Sequence, residues 1–301
     1  MSVGRVFSGD AISETVIAAQ ETAVAPWLRA GGVRLVFARA PGGKTLITRA
    51  QAASPVRLLT PENSGRGAWA YVSTFGGGLL GGDSTEIDVE VGPAATAYLS
   101  TQSATKVFRS RDDRHTQQQL AARVADEGLL ILLPDPVSCF AGARYRQSQR
   151  IDLAPMGSLV MLDWITSGRH ARGERWAATE CLTANEIFIA GQCLLRDRIL
   201  MPRGVQGLGM NHFNCLGTLV LAGPRCAAGG AAIHAALAEA PVQPGGPVQW
   251  GVSPLGDRAR EGAGLMLRIA GPDVESVAGT IFPLLSFVSE ALGEAPWQRK
   301  W

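Results

Sequence analysis

From Trp27 onward, apolar and polar residues alternate in short runs, and Gly, Pro, Asn or Asp interrupts them every ten residues or so. The clearest run is Glu86-Ile87-Asp88-Val89-Glu90-Val91, where an acid and a β-branched residue alternate with the period of a strand that buries one face. Runs of this kind predict strands over 33–38, 45–50, 56–59, 68–74, 85–91, 95–100, 117–124, 129–133, 145–153, 158–165, 177–184, 186–190 and 193–199. Beyond Pro202 the texture changes. Strands are expected over 216–221, 251–257 and 265–269, and the alanine-rich stretch 229–240 has helical composition. A last helix starts after Asp273, a cap residue, and places Val277, Ile281, Leu284, Leu285 and Val288 near one face. Pro283 should kink or interrupt it, because proline lacks an N–H and clashes with the preceding turn. The fold class expected is mainly β: one β-rich domain of stacked antiparallel or mixed sheets over 26–301, with about two helices toward the C-terminal end. Residues 1–25 read as a loosely held extension in which Asp10 caps at most a short helix.

Bulk properties narrow the function classes. A formal charge of +2 with 18% charged residues gives no broad field for nucleic acid or a membrane surface. No apolar run reaches the roughly 18 residues that span a bilayer, and the N-terminus lacks a basic-then-apolar signal layout. A soluble, cytoplasmic protein is expected. The five cysteines (Cys139, Cys181, Cys193, Cys215 and Cys226) are widely spaced without a Cys-x-x-Cys pair, which argues for reduced thiols over a zinc site or disulfide framework.

Two close-set segments carry the most specific chemistry: Phe75-Gly-Gly-Gly-Leu-Leu-Gly-Gly-Asp83 and Thr101-Gln-Ser-Ala-Thr-Lys-Val-Phe-Arg-Ser110. Gly76, Gly78 and Gly81 match the spacing of a dinucleotide fingerprint, but a strand follows them instead of the helix that would face a pyrophosphate. The glycines are therefore read as a positive-φ turn that lets two strands approach closely. Lys106 and Arg109, among Thr101, Gln102, Ser103 and Thr105, suggest either an anion pocket or a packed polar strand end, and no Gly-x-x-x-x-Gly-Lys loop supports the first. Asp83 and Glu174 each neighbour glycine and are the acids best placed to meet a hydrated divalent ion; the competing readings are an aspartate bonded to its own turn and a glutamate paired with Arg169 or Arg172. His212, within Gly207-Leu-Gly-Met-Asn-His-Phe-Asn214, is the histidine whose neighbours best suit nickel or copper. Arg169, Arg172 and Arg175 with Trp164, Trp176 and His170 form the densest basic and aromatic patch, read as a protein interface in preference to RNA. Trp297 and Trp301 flank two cations at the C-terminus and suggest a second interface.

These segments, together with 27–37, 133–145 and 163–176, resemble the urease accessory proteins called UreD, or UreH in some organisms, in order and spacing from about Trp27 to the C-terminus. The resemblance implies a non-enzymatic scaffold that binds urease apoprotein and the accessory protein UreF, with the GTPase UreG joining through UreF, in a heterocomplex with UreF that can hold two copies of each. It implies no tightly bound cofactor, a transient passage of Ni2+ for which Asp83, Glu174 and His212 are the candidates, and docking of UreF by the C-terminal helical part, carried onto Phe282, Leu285, Val288, Trp297 and Trp301; Arg169, Arg172 and Trp176 are the partner contacts expected from the basic and aromatic patch. Nucleic acid and membrane are not expected partners. This chain departs from the family pattern where relatives carry Pro-Gln-Glu and Phe-Asp-Gly: it has Pro134-Asp-Pro136 and Phe140-Ala-Gly142. The alternatives are a β-rich hydrolase using Asp83 or Glu174 and an RNA-binding module centred on 169–176.

Overall fold

Strands with one wet face and strands with none are both present in the sequence, and they segregate into different sheets. The computed structural model describes residues 29–62, 64–204, 210, 212–240, 245–256 and 264–295. In chain order its strands are β1 (Gly32–Arg39), β2 (Thr45–Ala52), β3 (Val56–Leu59), β4 (Ala68–Thr74), β5 (Ser84–Val91), β6 (Thr96–Thr101) and β7 (Thr105–Val107). There follow β8 (Thr116–Val124), β9 (Leu129–Leu132), β10 (Val137–Cys139), β11 (Arg144–Leu153), β12 (Ser158–Thr166), β13 (Glu180–Ile189) and β14 (Gln192–Pro202). The last third holds β15 (Cys215–Ala222), helix α1 (Ala227–Glu239), β16 (Gln249–Leu255), β17 (Gly264–Gly271), α2 (Val274–Leu284) and α3 (Ser286–Leu292).

The first sheet has the order β14-β13-β11-β8-β5-β1-β2, and the second runs β16-β17-β15-β12-β9-β6-β4-β3. From β4 to β13 the chain passes back and forth between the two sheets, so neighbours within each sheet are parallel: β5 with β8, β8 with β11 and β11 with β13 in the first, β4 with β6, β6 with β9 and β9 with β12 in the second. A parallel pair needs a long crossover; here each crossover is itself a strand of the opposite sheet.

Burial follows this layering. In the first sheet Ile87, Val89 and Val91 point into the space between the sheets while Glu86, Asp88 and Glu90 stay on the outer face. That face carries cross-strand pairs such as Arg123 with Asp88 and Glu90, and Arg196 with Glu186, each worth about 0–1 kcal/mol in water. The second sheet is covered on both sides. Leu130, Leu132, Leu159 and Met161 enter the core shared with the first sheet, while Leu129, Ile131, Val160 and Leu162 enter another beneath the helices. Strands buried on both faces read as unbroken apolar runs, which explains why 129–132 and 158–165 do not alternate.

The helices close that second core. Asp273 caps α2 by accepting the Ser276 N–H at 2.7 Å, and the helix ends at Leu284, one residue after Pro283. The chain bends by 61° before α3, and Val277, Ile281, Leu285, Val288 and Leu292 are all buried against the second sheet. Among the described residues no single helix is long and apolar enough to cross a membrane, although α2 and α3 together pass that test by length and composition. The mainly-β single domain matches the expected fold class, with three helices rather than two. Two details are corrected: the strands expected at 177–184 and 186–190 are one strand, β13, and the three-residue β7 and β10 were not foreseen. The extension expected at 1–25 lies outside the described residues.

Candidate functional site

Inward positions of the first sheet are apolar toward one end and polar toward the other. Along β11 the buried side chains are Tyr145, Gln147, Gln149, Ile151 and Leu153, so the strand changes character halfway. Parallel pairing sets Gln147 beside Gln118 of β8 and Thr183 of β13; Gln149 stands beside Asn185, and Asn185 opposes Asp197 of β14. In the second sheet Asp163 of β12 pairs with Thr218 of β15, which pairs with Arg268 of β17. The two polar ladders meet across the space between the sheets.

Asp163 is where they join. Its carboxylate accepts the Gln147 Nε2–H and the Asn185 Nδ2–H, both at 2.8 Å, and Gln149 Nε2 donates to Asn185 Oδ1 at 3.0 Å. The Tyr145 hydroxyl lies 2.7 Å from Gln118 Oε1 and 2.8 Å from Gln147 Oε1 and can donate to either. Burial holds the Asp163 carboxyl above the usual carboxylate range; the two amide donors only partly counter this, and Asp197 adds to it. Asp197 is 5% exposed, accepts from Arg268 through Oδ1, and leaves Oδ2 without a partner among the described residues. Beside this network is a cavity of about 40 Å³ whose polar wall includes Thr101, Gln118, Asp135, Gln147, Gln149 and Asp163. It exceeds the ~10–15 Å³ that one water requires. A buried carboxylate that is short of compensating charge attracts a proton or a cation, and carboxylate and carboxamide oxygens hold divalent ions exchangeably. No group of three or more His, Cys, Asp or Glu side chains able to hold a metal occurs among the described residues.

The acids singled out from the sequence lie outside this chamber wall. Asp83 closes the glycine turn, its Oδ2 accepting the Leu80 N–H at 2.7 Å. The turn does use positive φ at Gly76, Gly77 and Gly82. Glu174 is held by the Arg169 guanidinium and by the Ala141 N–H at 3.2 Å, and Arg169 keeps its carboxyl below the usual range. A carboxylate so engaged and so acidic is a poor general acid at neutral pH. Arg169 also stacks over Phe140 at 4.5 Å, whereas Arg172 is exposed. His212 is exposed with its ring centroid 3.8 Å from that of Phe213; Asn211 and 207–209 lie outside the described residues, as do Trp297 and Trp301.

Three expected contact residues require correction. Trp176 is 6% exposed and donates Nε1–H to Phe213 O at 2.9 Å, so it belongs to the core and cannot present an aromatic surface to protein or RNA. Leu285 and Val288 are 0% exposed because the apolar helix face that carries them is covered by the second sheet. Phe282 is partly buried, its ring edge-on to Trp164 at 6.3 Å.

Asp163, Gln147, Asn185 and Asp197 are the residues that sequence reasoning passed over. A signal was present: Gln147 and Gln149 occupy alternate positions continuous with Ile151 and Leu153, so they share the buried face.

Comparison with known proteins agrees across the chain. The sequence model of the family described as "UreD urease accessory protein" matches residues 29–301. A urease accessory protein UreD of Sorangium cellulosum is 42% identical over 275 residues, covering 91% of this chain and 85% of that protein. A UreD of Anaeromyxobacter is 40% identical, covering 90% of each. Urease accessory protein D of Oryza sativa subsp. japonica is 32% identical over 310 residues, covering 93% of this chain and 98% of its own length.

Proposed function

The chain belongs to the UreD urease accessory protein family, and from that premise we propose that it acts in urease maturation as a scaffold that delivers nickel and catalyses no reaction itself. It binds urease apoprotein and UreF, with UreG joining through UreF, and works in the cytoplasm. The observation that carries the nickel role is the polar chamber around Asp163, set inside a body that is otherwise packed with apolar side chains. Nickel is cargo here. A relay must release its ion, and a wall of two carboxylates, Asp135 and Asp163, with carboxamides and hydroxyls offers weak, exchangeable oxygen ligands in place of a thiolate cage. Asp163 supplies the charge that favours a cation in the chamber, while Gln147 and Asn185 fix its orientation.

Partner contact falls to the expected residues that remain at least partly accessible, namely Arg169, Arg172 and Phe282. Nothing favours the hydrolase reading, since Asp83 is tied to the Leu80 N–H of its own turn and Glu174 to Arg169 and the Ala141 N–H.

The direct test is deletion of this gene from cells that carry the urease genes, with urease activity and metal content measured before and after complementation. Inactive, nickel-poor urease restored by the wild-type gene is expected. Active, nickel-loaded urease in the deletion strain would overturn the proposal.

A further inference from the structure

The glycine turn and β7 enclose a second recess, of about 50 Å³, walled in part by Thr74, Gly78, Thr85, Ser103, Thr105 and Lys106. Its shape is fixed by backbone. Leu79 N–H donates to Lys106 O at 2.8 Å, Phe108 N–H donates to Leu79 O at 2.9 Å, and a Cβ on Gly78 would stand 2.6 Å from both Lys106 O and the Phe108 ring. Only glycine allows the turn to come this close to β7.

Thr85 is 3% exposed, and its Oγ1 has no hydrogen-bond partner among the described residues. Buried hydroxyls are rarely left so, which directs attention to what would occupy the space beside it. The hydroxyls of Thr74, Ser103 and Thr105 likewise make no hydrogen bond among the described residues, and Lys106 makes no ion pair there. Lys106 is the one charged side chain in this wall, which contains no carboxylate. A wall of hydroxyl and ammonium donors without acids suits an anionic ligand made chiefly of acceptors and disfavours a metal cation. The recess is too small for a base or a sugar, and no aromatic ring lines it for stacking.

We propose that this recess binds a small inorganic oxyanion of the phosphate or hydrogencarbonate type, with the Thr85 hydroxyl donating from the buried side and the Lys106 ammonium supplying the charge. It shares Thr101, Thr105 and Gln118 with the Asp163 chamber, so the anion sits at the chamber's edge. The assignment does not depend on what the chamber carries.

Equilibrium dialysis of the purified full chain against radiolabelled phosphate, and separately hydrogencarbonate, at constant ionic strength in chloride tests it. One site per chain is expected for at least one of the two anions, and cross-competition identifies which. Thr85→Val, nearly isosteric, and Lys106→Met, at an exposed side chain, should each weaken binding roughly tenfold, the scale of one charge-assisted hydrogen bond. Arg111→Met, outside the recess, should not. If Thr85→Val lowers the thermal midpoint, Lys106→Met alone decides the matter. Binding of neither anion at millimolar concentration, or binding that Lys106→Met leaves unchanged, would overturn the assignment.

Discussion

Replacing Asp163 by asparagine and by alanine should separate its charge from its role as an acceptor. The carboxylate receives two N–H groups at 2.8 Å, from Gln147 and Asn185. Alanine would strand both buried donors at about 1–3 kcal/mol each, roughly 2–6 kcal/mol together, with some relief from removing a buried charge. Asparagine keeps one oxygen for Asn185 and turns an NH2 toward Gln147. That clash resolves if the Gln147 amide flips, because its oxygen then accepts from the new NH2 and its own NH2 faces the Tyr145 oxygen. The Tyr145 hydroxyl loses nothing, having Gln118 Oε1 at 2.7 Å as its acceptor. Every member of the network stays satisfied, so Asp163→Asn should lie within about 1 kcal/mol of wild type. The gap between the variants should be about 1–5 kcal/mol, or roughly 2–8 °C in thermal midpoint for a chain of this size. Thermal unfolding of the two purified variants beside wild type measures it. Equal destabilisation by asparagine and alanine would refute the flip and the satisfied network with it.

Three further outcomes follow from packing and charge. Gly223→Ala should cost upward of about 3 kcal/mol, because φ there is +85° and a Cβ would stand 2.1 Å from Gly157 O; denaturant unfolding would show it, and a near-neutral result would contradict the β15–α1 junction described. Leu285→Ala, at the joint between α2 and α3, should cost about 2–5 kcal/mol as a core truncation; a stability change near zero would mean that the helices do not cover the second sheet. Glu180 is held below the usual range chiefly by Arg146, with His115 also contributing. Its contribution to stability is therefore present above the unfolded value of about 4.3 and is lost as pH falls through the folded one. Glu180→Gln should flatten the acid limb of the stability profile below that value, and an unchanged limb would contradict the pairing.

The strands were readable because each obeys a period its burial demands. β5 alternates because one face is wet, and β9 and β12 are unbroken because both faces are covered. The Pro283 break was legible for the same local reason. What stayed hidden depends on the winding. Gln118, Gln147, Asp163 and Asn185 are far apart in sequence and become neighbours only through parallel register and the stacking of two sheets. β7 and β10 are three residues long and owe their existence to pairing with each other and, for β10, with β12. Leu285 and Val288 were placed on the correct helix face, but periodicity cannot say whether a sheet of the same chain or a partner covers it. The pairing of Glu174 with Arg169 was open to the sequence because the two are five residues apart, whereas its second partner, the Ala141 N–H, comes from a distant loop.

Nickel transfer itself is the most direct measure of the proposed role. Urease apoprotein, assembled with its accessory proteins and either the wild-type chain or Asp163→Asn, would be supplied with radioactive nickel, and the metal bound to isolated urease counted. Near-complete loading with the wild-type chain, little without it, and a large deficit with a folded, complex-forming Asp163→Asn is the outcome predicted. Equal loading with and without the chain would contradict the account at its centre.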